Sequence, residues 1–328
     1  MPFRELSAML ESDKKRRHLE NMKTSKGKDL LKRMYQYRAL YLMILPSVVS
    51  VFIFHYIPLY GVQIAFKDFR TSLGIWESKW VGFDYFIKFF NYPYFWKILW
   101  NTISLNLLNL LFFPASVIFA IMLNEMRNGR LKKVCQTITY APHFISTVLV
   151  CSMAIMFLSR EGLFNIIGPM IYGADYEATN FMANPALFPW VYVISGLWSE
   201  LGWGTIIYTA SLSSISMELV DAAKIDGASR LQIIRYVYLP HLKPTIITML
   251  ILQIGQTLTV GFEKVFLLQN PLNMETANVI STYVYEIGIG MHQFSYSTAI
   301  ELFNSIINII LILSANAISK KVAQTGLW

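Results

Sequence analysis

Apolar and polar positions alternate along this chain on a scale far longer than a helical turn. Six apolar runs, near residues 39–65, 95–123, 134–158, 187–212, 245–268 and 297–318, are separated by shorter polar stretches. A helical bilayer crossing takes about 20 predominantly apolar residues. The pattern therefore predicts an all-α membrane protein with six transmembrane helices. Pro46 and Pro58 are expected to bend or break the first of them. Segment 67–94 carries WESKWVGFDYFIKFFNYPYF and reads as an interfacial belt or short helices lying at headgroup level. Segments 159–186 and 269–296 hold Gly, Pro and Asn and read as loops with short helices.

Composition agrees with the membrane reading. Of 328 residues, 55% are hydrophobic and only 15% charged, against about 25% charged in soluble domains. The net charge of +8 raises nucleic acid or anionic lipid as partners, and its placement decides between them. Six spans put both termini on one side. With the termini grouped with 127–133 and 213–244, that side carries 21 of the 28 Lys and Arg, eleven of them in the first 38 residues. By the positive-inside rule both termini are cytoplasmic, and no nucleic acid is implied. The chain divides into a basic arm (1–38), a permeation domain (39–318) and a short cytoplasmic tail (319–328). No short apolar stretch followed by a small-residue cleavage site marks a signal peptide, and the first run is read as retained. The arm is read as lying on the anionic inner leaflet. Cys135 and Cys151 both sit in apolar sequence and suggest neither a disulfide framework nor a metal site.

The polar segment 214–244 is the exception between two spans. ELVDAAKIDGASRLQIIRYVYLP, Glu218 to Pro240, reads as two short helices. Ser216 can cap the first, with Glu218 and Asp221 near its positive end. Gly227 can end it in a left-handed conformation. Ser229 and Gln232 have capping-box spacing for the second, which Pro240 and Pro244 are expected to stop before the fifth span. Ala222, Ala223 and Ala228 form a small-residue face that permits close approach by another protein.

Asp221-Ala222-Ala223, then Gly227, then Val237-Tyr238-Leu239-Pro240 resembles the signature of ATP-binding-cassette importer permeases: Glu-Ala-Ala, three residues, Gly, and an apolar-x-Leu-Pro close. Asp221 departs from the usual Glu, keeping the charge and shortening the reach. Further stretches, among them KWVGFDYFIKFF (79–90), NTISLN (101–106), YAPHFIS (140–146), GLWSELGWGTIIYTASL (196–212) and the closing GLW (326–328), are similar to the maltose-type sugar permeases. Within these they resemble the polysaccharide-type branch of Gram-positive bacteria. The resemblance implies the type I importer permease fold in a bacterial cell membrane. It implies a coupling segment in which Glu218, Asp221, Ala222, Ala223, Asp226, Gly227, Ala228, Leu239 and Pro240 dock on a cytoplasmic ATPase. It also implies two such ATPase subunits that bind ATP and Mg, a second and non-identical permease, an extracellular solute-binding lipoprotein, and an oligosaccharide as solute. The chain itself has no phosphate-cradling Gly-x-x-x-x-Gly-Lys-Ser/Thr loop and no cofactor of its own is expected.

Polar residues inside spans are costly and mark candidate function. Glu200 lies mid-span among Trp198, Gly202 and Trp203, and indoles beside a carboxylate suit a sugar. Tyr208 follows on the same span. Gln253, Gln256 and Glu263 fall on nearly one face of the fifth span, directed at a cavity or at a partner permease. Asn101, Asn106, Asn109, His55, His143, Glu301, Asn304 and Asn308 are read as hydrogen-bonding glue between helices. Gly202, Gly204 and Ala210 permit close packing. The spans hold almost no basic residues, which favours a neutral glycan. An importer of the same fold for a non-sugar solute, an energy-independent channel, and an intramembrane enzyme using Glu200, His143 and His55 are the alternatives. The last lacks any local motif such as His-Glu-x-x-His.

Overall fold

The structure is a computed structural model that describes residues 35–173, 175–255 and 261–323. Most of the basic arm, the closing GLW and Gln256 lie outside the described residues. The chain falls into two units, residues 1–63 and 64–328.

In the first unit, helix α1 (Arg38–Val51) runs through Pro46 into a π-turn at Phe52–Tyr56. The chain stays helical past Pro58, so the prolines are absorbed and the helix is not broken. The widened turn does this by relaxing the hydrogen-bond ladder upstream of a residue that cannot donate.

The second unit is nearly all helical. Its first elements include the short helices expected in 67–94, at Gly74–Glu77 and Asp84–Phe90, and add a hairpin that the reading lacked. Strands β1 (Lys67–Arg70) and β2 (Ser78–Trp80) pair antiparallel, Lys67 opposite Trp80, before helix α2 (Asp84–Phe90). Strands of three or four residues are too short to show period-two alternation. The hairpin is tied to the last helix by the Phe69 N–H donating to Ser295 Oγ at 2.9 Å. Next come α3 (Phe95–Leu111), α4 (Pro114–Glu125) and α5 (Gly129–Tyr140). The predicted run 134–158 is not one helix. A 3-10 turn at Ala141–Phe144 and an extended Ile145 separate α5 from α6 (Thr147–Leu158). Pro142 cannot donate to the ladder, and Ser146 caps α6 through a bond from the Leu149 N–H. Helix α7 (Leu163–Tyr172) follows.

Helix α8 (Phe188–Ser213) has 26 residues and is the hub. It packs on α3, α4, α5 and α6 and on three later helices, most extensively on α4. Gly202 makes the crossing with α5 possible: a Cβ there would collide with the Thr139 carbonyl. Among the described residues, five segments are long and apolar enough to cross a bilayer: Arg38–Phe66, Phe95–Glu125, Thr147–Tyr172, Arg230–Ile254 and Phe294–Lys321. Helix α8 corresponds to the fourth predicted run. It is long enough to span, at about 1.5 Å per residue, but Glu200 and its neighbouring Ser, Gly and Trp make it less apolar than the five.

The segment after α8 folds as α9 (Met217–Ile225) and α10 (Arg230–Ile233). A π-turn at Ile234–Tyr238 leads without a break into α11 (Leu239–Ile254). Pro240 and Pro244 therefore do not stop the second helix. Pro240 sits in the first turn of α11, where a missing N–H costs least, and the π-turn before it takes up the mismatch. Helix α11 ends at Ile254, so the predicted run 245–268 is two pieces, and α12 (Phe262–Leu268) is separate. Gly255 stands at the end of α11 and Gly261 at the start of α12, and glycine is a weak helix former at both boundaries. Helix α13 (Ile280–Tyr285) and the long α14 (Phe294–Ala323) complete the unit.

Three apolar clusters run along the unit. Phe89, Phe95, Ile280, Tyr283 and Ile300 pack at the hairpin end. Leu105, Phe188, Tyr192 and Val265 pack in the middle. Val117, Tyr208, Leu212, Val220 and Leu242 pack at the end that carries α9. Asn101 acts as expected for glue, its amide donating to the carbonyls of Glu275 and Asn278 at 3.0 Å each.

Candidate functional site

Two features stand out: a cavity beside α8 and the projecting segment 216–240.

The cavity has a volume of about 1270 Å³. Helix α8 gives it one broad wall, including Tyr192, Gly196, Glu200, Trp203 and Gly204. The other walls come from α3, α4, the 3-10 turn, the start of α6, α11 and the start of α12. Of the residues singled out in the sequence, Glu200, Trp203, Tyr208, Gln253 and Glu263 all line it. Trp198 does not, because two residues on a helix turn through about 200° and α8 presents position 200 to the cavity. Tyr208 lines it from deep in the core, 3% exposed. Gln253 and Glu263 reach the same space from two separate helices, not as one stripe.

His143, expected as hydrogen-bonding glue, does bond across to α8. Its ring stacks on the Trp203 indole, centroids 4.3 Å apart and planes 3° apart. Its Nδ1 lies 3.0 Å from Glu200 Oε2. A carboxylate can only accept, so Nδ1 carries the hydrogen. The Pro142-His143 turn thus reaches across to α8 and covers one indole face, leaving a carboxylate beside the half-exposed remainder of the ring. Lys264, an exception in spans that otherwise hold almost no basic residues, stands near the end of the fifth predicted run. It projects from α12 into the cavity wall, where Nζ donates to the Tyr192 carbonyl at 2.6 Å. Its distance in sequence from Tyr192 hides this contact. Lys264 puts one cation on the cavity and so weakens the inference from scarce basic residues to a neutral glycan. Among the described residues no group of three or more His, Cys, Asp or Glu is placed to hold a metal.

The projecting segment is built from local signals. The Ser216 hydroxyl accepts from the Glu218 N–H at 3.2 Å. Gly227 takes φ +77°. The Gly227 N–H then donates to Lys224 O at 3.1 Å and the Ala228 N–H to Ala223 O at 2.9 Å, which together make a Schellman close. Ser229 and Gln232 form the reciprocal capping box. Val220, Ile233 and Tyr238 anchor the segment in the core that holds Val117 and Leu212. The Tyr238 hydroxyl donates to Glu125 Oε1 at 3.0 Å, joining the π-turn to the end of α4.

The small-residue face is not as expected. Ala223 and Ala228 turn inward and pack on that core; Ala222 alone of the three faces out. The outward face is made by Glu218, Asp221, Ala222 and Asp226, with Ile225 at 85% and Leu231 at 78% exposure. Asp221 is paired with Lys224 across one turn at 2.9 Å. Leu239 and Pro240 are exposed at the start of α11.

A bundle of membrane-length helices around a cavity of mixed polar and apolar lining, with a capped and projecting helix pair between two of them, is the membrane subunit of a transporter. The chain belongs to the family of binding-protein-dependent transport system inner membrane components, which matches residues 114–324. It is 42% identical over 307 residues to the polygalacturonan/rhamnogalacturonan transport system permease protein YteP of Bacillus subtilis, covering 93% of this chain and 95% of that one. It is 41% identical over 320 residues to protein LplB of the same organism, covering 97% and 100%. Among solved structures it is similar to a chain of a bacterial alginate ABC transporter in complex with an alginate pentasaccharide-bound periplasmic protein. That match has a TM-score of 0.81 and 36% identity, and covers 90% of this chain and 99% of that one. The protein is a multi-pass permease component and not an enzyme; ATP hydrolysis in such systems belongs to separate subunits.

Proposed function

We propose that this chain is one of two permease subunits of an ATP-driven importer that moves an oligosaccharide across the bacterial cell membrane. The observation that carries the reading is the cavity of about 1270 Å³, in which an indole, a carboxylate and an amide (Trp203, Glu200 and Gln253) sit together. Sugars present apolar ring faces and a rim of hydroxyls, and such a mixed lining suits both. The names of relatives that carry polysaccharide fragments support it.

In this reading α8 is the fourth of six spans, and both termini lie in the cytoplasm, as the 21 basic residues on that side support. Segment 218–240 docks on an ATPase subunit, with Ile225 and Leu231 as its apolar contacts and Glu218, Asp221 and Asp226 as its polar rim. ATP and Mg are held by two such ATPases. A second, non-identical permease closes the other side of the path. An extracellular solute-binding lipoprotein delivers the sugar, and its closed state shifts the pair between inward- and outward-facing forms. The test is a strain lacking this gene, supplied with labelled oligosaccharides of several linkages. Uptake of at least one is lost and returns with the intact gene; unchanged uptake of every oligosaccharide tested, with loss of a non-sugar solute, overturns the reading.

A further inference from the structure

Lys264 is the one Lys or Arg among the residues that line the cavity. An ammonium is costly in such a place unless something holds it, and here it has a built seat. Nζ donates to the Tyr192 carbonyl at 2.6 Å and lies 4.7 Å over the centroid of the Tyr192 ring. It also fills space that Gly196 leaves open: a Cβ at 196 would stand 2.7 Å from Nζ. All three contacts come from α8, one turn apart. Among the described residues no carboxylate is ion-paired with Lys264; Glu200, one turn beyond Gly196, is bonded to His143 instead. An ammonium has three N–H groups, and the carbonyl takes one.

We propose that Lys264 recognises the carboxylate of a uronate-bearing oligosaccharide in transit and sets a preference for acidic over neutral chains. This rests on the oligosaccharide reading above. Neutral hydroxyls find acceptors at Glu200 and Glu263 and need no cation. A carboxylated sugar brings negative charge toward those same two acids, and repulsion would bar it unless a fixed positive charge stands beside them. Lys264 supplies that charge at a defined position, because the Gly196 gap, the Tyr192 ring and the Tyr192 carbonyl fix Nζ.

The experiment uses proteoliposomes holding the complete transporter with ATP inside. Binding protein is supplied at saturation, loaded with either a galacturonate trisaccharide or a galactose trisaccharide of the same linkage. The readout is the ratio of acidic to neutral uptake. In Lys264→Met the ratio falls about tenfold or more, the loss expected for a charge-assisted bond, and Lys264→Arg keeps most of it. Gly196→Ala, which displaces the ammonium without removing it, moves the ratio in the same direction as Lys264→Met and decides the matter if that variant does not assemble. An equal fall for both sugars reduces Lys264 to a strut for Tyr192 and overturns the proposal, as does an unchanged ratio. If wild-type complex takes up neither sugar, the oligosaccharide reading itself fails and this inference with it.

Discussion

Ile225→Asn isolates the docking role of the segment after α8. Ile225 closes the last turn of α9, is 85% exposed, and belongs to none of the packed clusters. Exposed helix positions without buried contacts change folding stability by about 0.5 kcal/mol or less. If the side chain is covered by an ATPase surface, its burial is worth about 1.5–3 kcal/mol. At about 1.4 kcal/mol per decade this weakens association roughly tenfold to a hundredfold. The assay is the dissociation constant of the purified permease pair for its ATPase, by interferometry in detergent, alongside the melting temperature of the permease pair alone. The predicted result is a weaker complex with an unshifted melting temperature. An affinity within twofold of wild type would show that Ile225 remains in solvent when the ATPase is bound, and the docking face would have to be sought elsewhere.

Ala223→Asp gives the opposite pattern, because Ala223 packs inward: membrane yield and thermal stability fall whether or not the ATPase is present, by about 1–3 kcal/mol for a buried charge-bearing or overpacked site. Gly227→Ala meets no neighbouring atom within 4 Å, so its cost is purely that of a Cβ at φ +77°, about 1–2 kcal/mol; limited proteolysis then shows faster cleavage near 226–229, and Gly227→Asn shows less. Gly202→Ala forces α5 and α8 apart at Thr139 and lowers yield of folded protein, measured by fluorescence-detected size exclusion. Tyr238→Phe removes the bond to Glu125, about 1.5–3 kcal/mol for a hydrogen bond to a charged group; transport per ATP hydrolysed falls more than ATPase binding does.

What the sequence disclosed and what it hid divide along a physical line. Capping is a short-range matter, so Ser216, Gly227 and the Ser229–Gln232 pair announce the helix pair without any tertiary information. Apolar run length is also local, and the membrane class follows from it. Burial is not local: nothing in DAAKIDGA says that Ala223 and Ala228 face inward and Ala222 outward, because the rotation of α9 is set by packing against the Val117–Leu212 core, where Val220, outside that stretch, is buried. Helix breaks inside apolar runs are concealed for a related reason. Composition reads 134–158 and 245–268 as single spans, whereas Pro142, Ser146, Gly255 and Gly261 divide them. The cavity is the least legible part. Glu200 and Trp203 are visible as anomalies in α8, but His143 and Lys264 come from elsewhere in the chain, and only the packing of α8 brings them together. Trp198, two residues from Glu200, looked equivalent and is not, since helical geometry turns it to another face.

The most direct test of the account is ATP-driven solute entry through this chain when the coupling face is intact. The complete complex is placed in proteoliposomes with ATP inside and oligosaccharide-loaded binding protein outside, and labelled sugar and released phosphate are counted together. The account predicts that sugar accumulates only with ATP and binding protein, and that Ile225→Asn lowers sugar entry and binding-protein-stimulated hydrolysis together. Sugar entry at the wild-type rate without ATP, or undiminished coupled transport in Ile225→Asn, would contradict it.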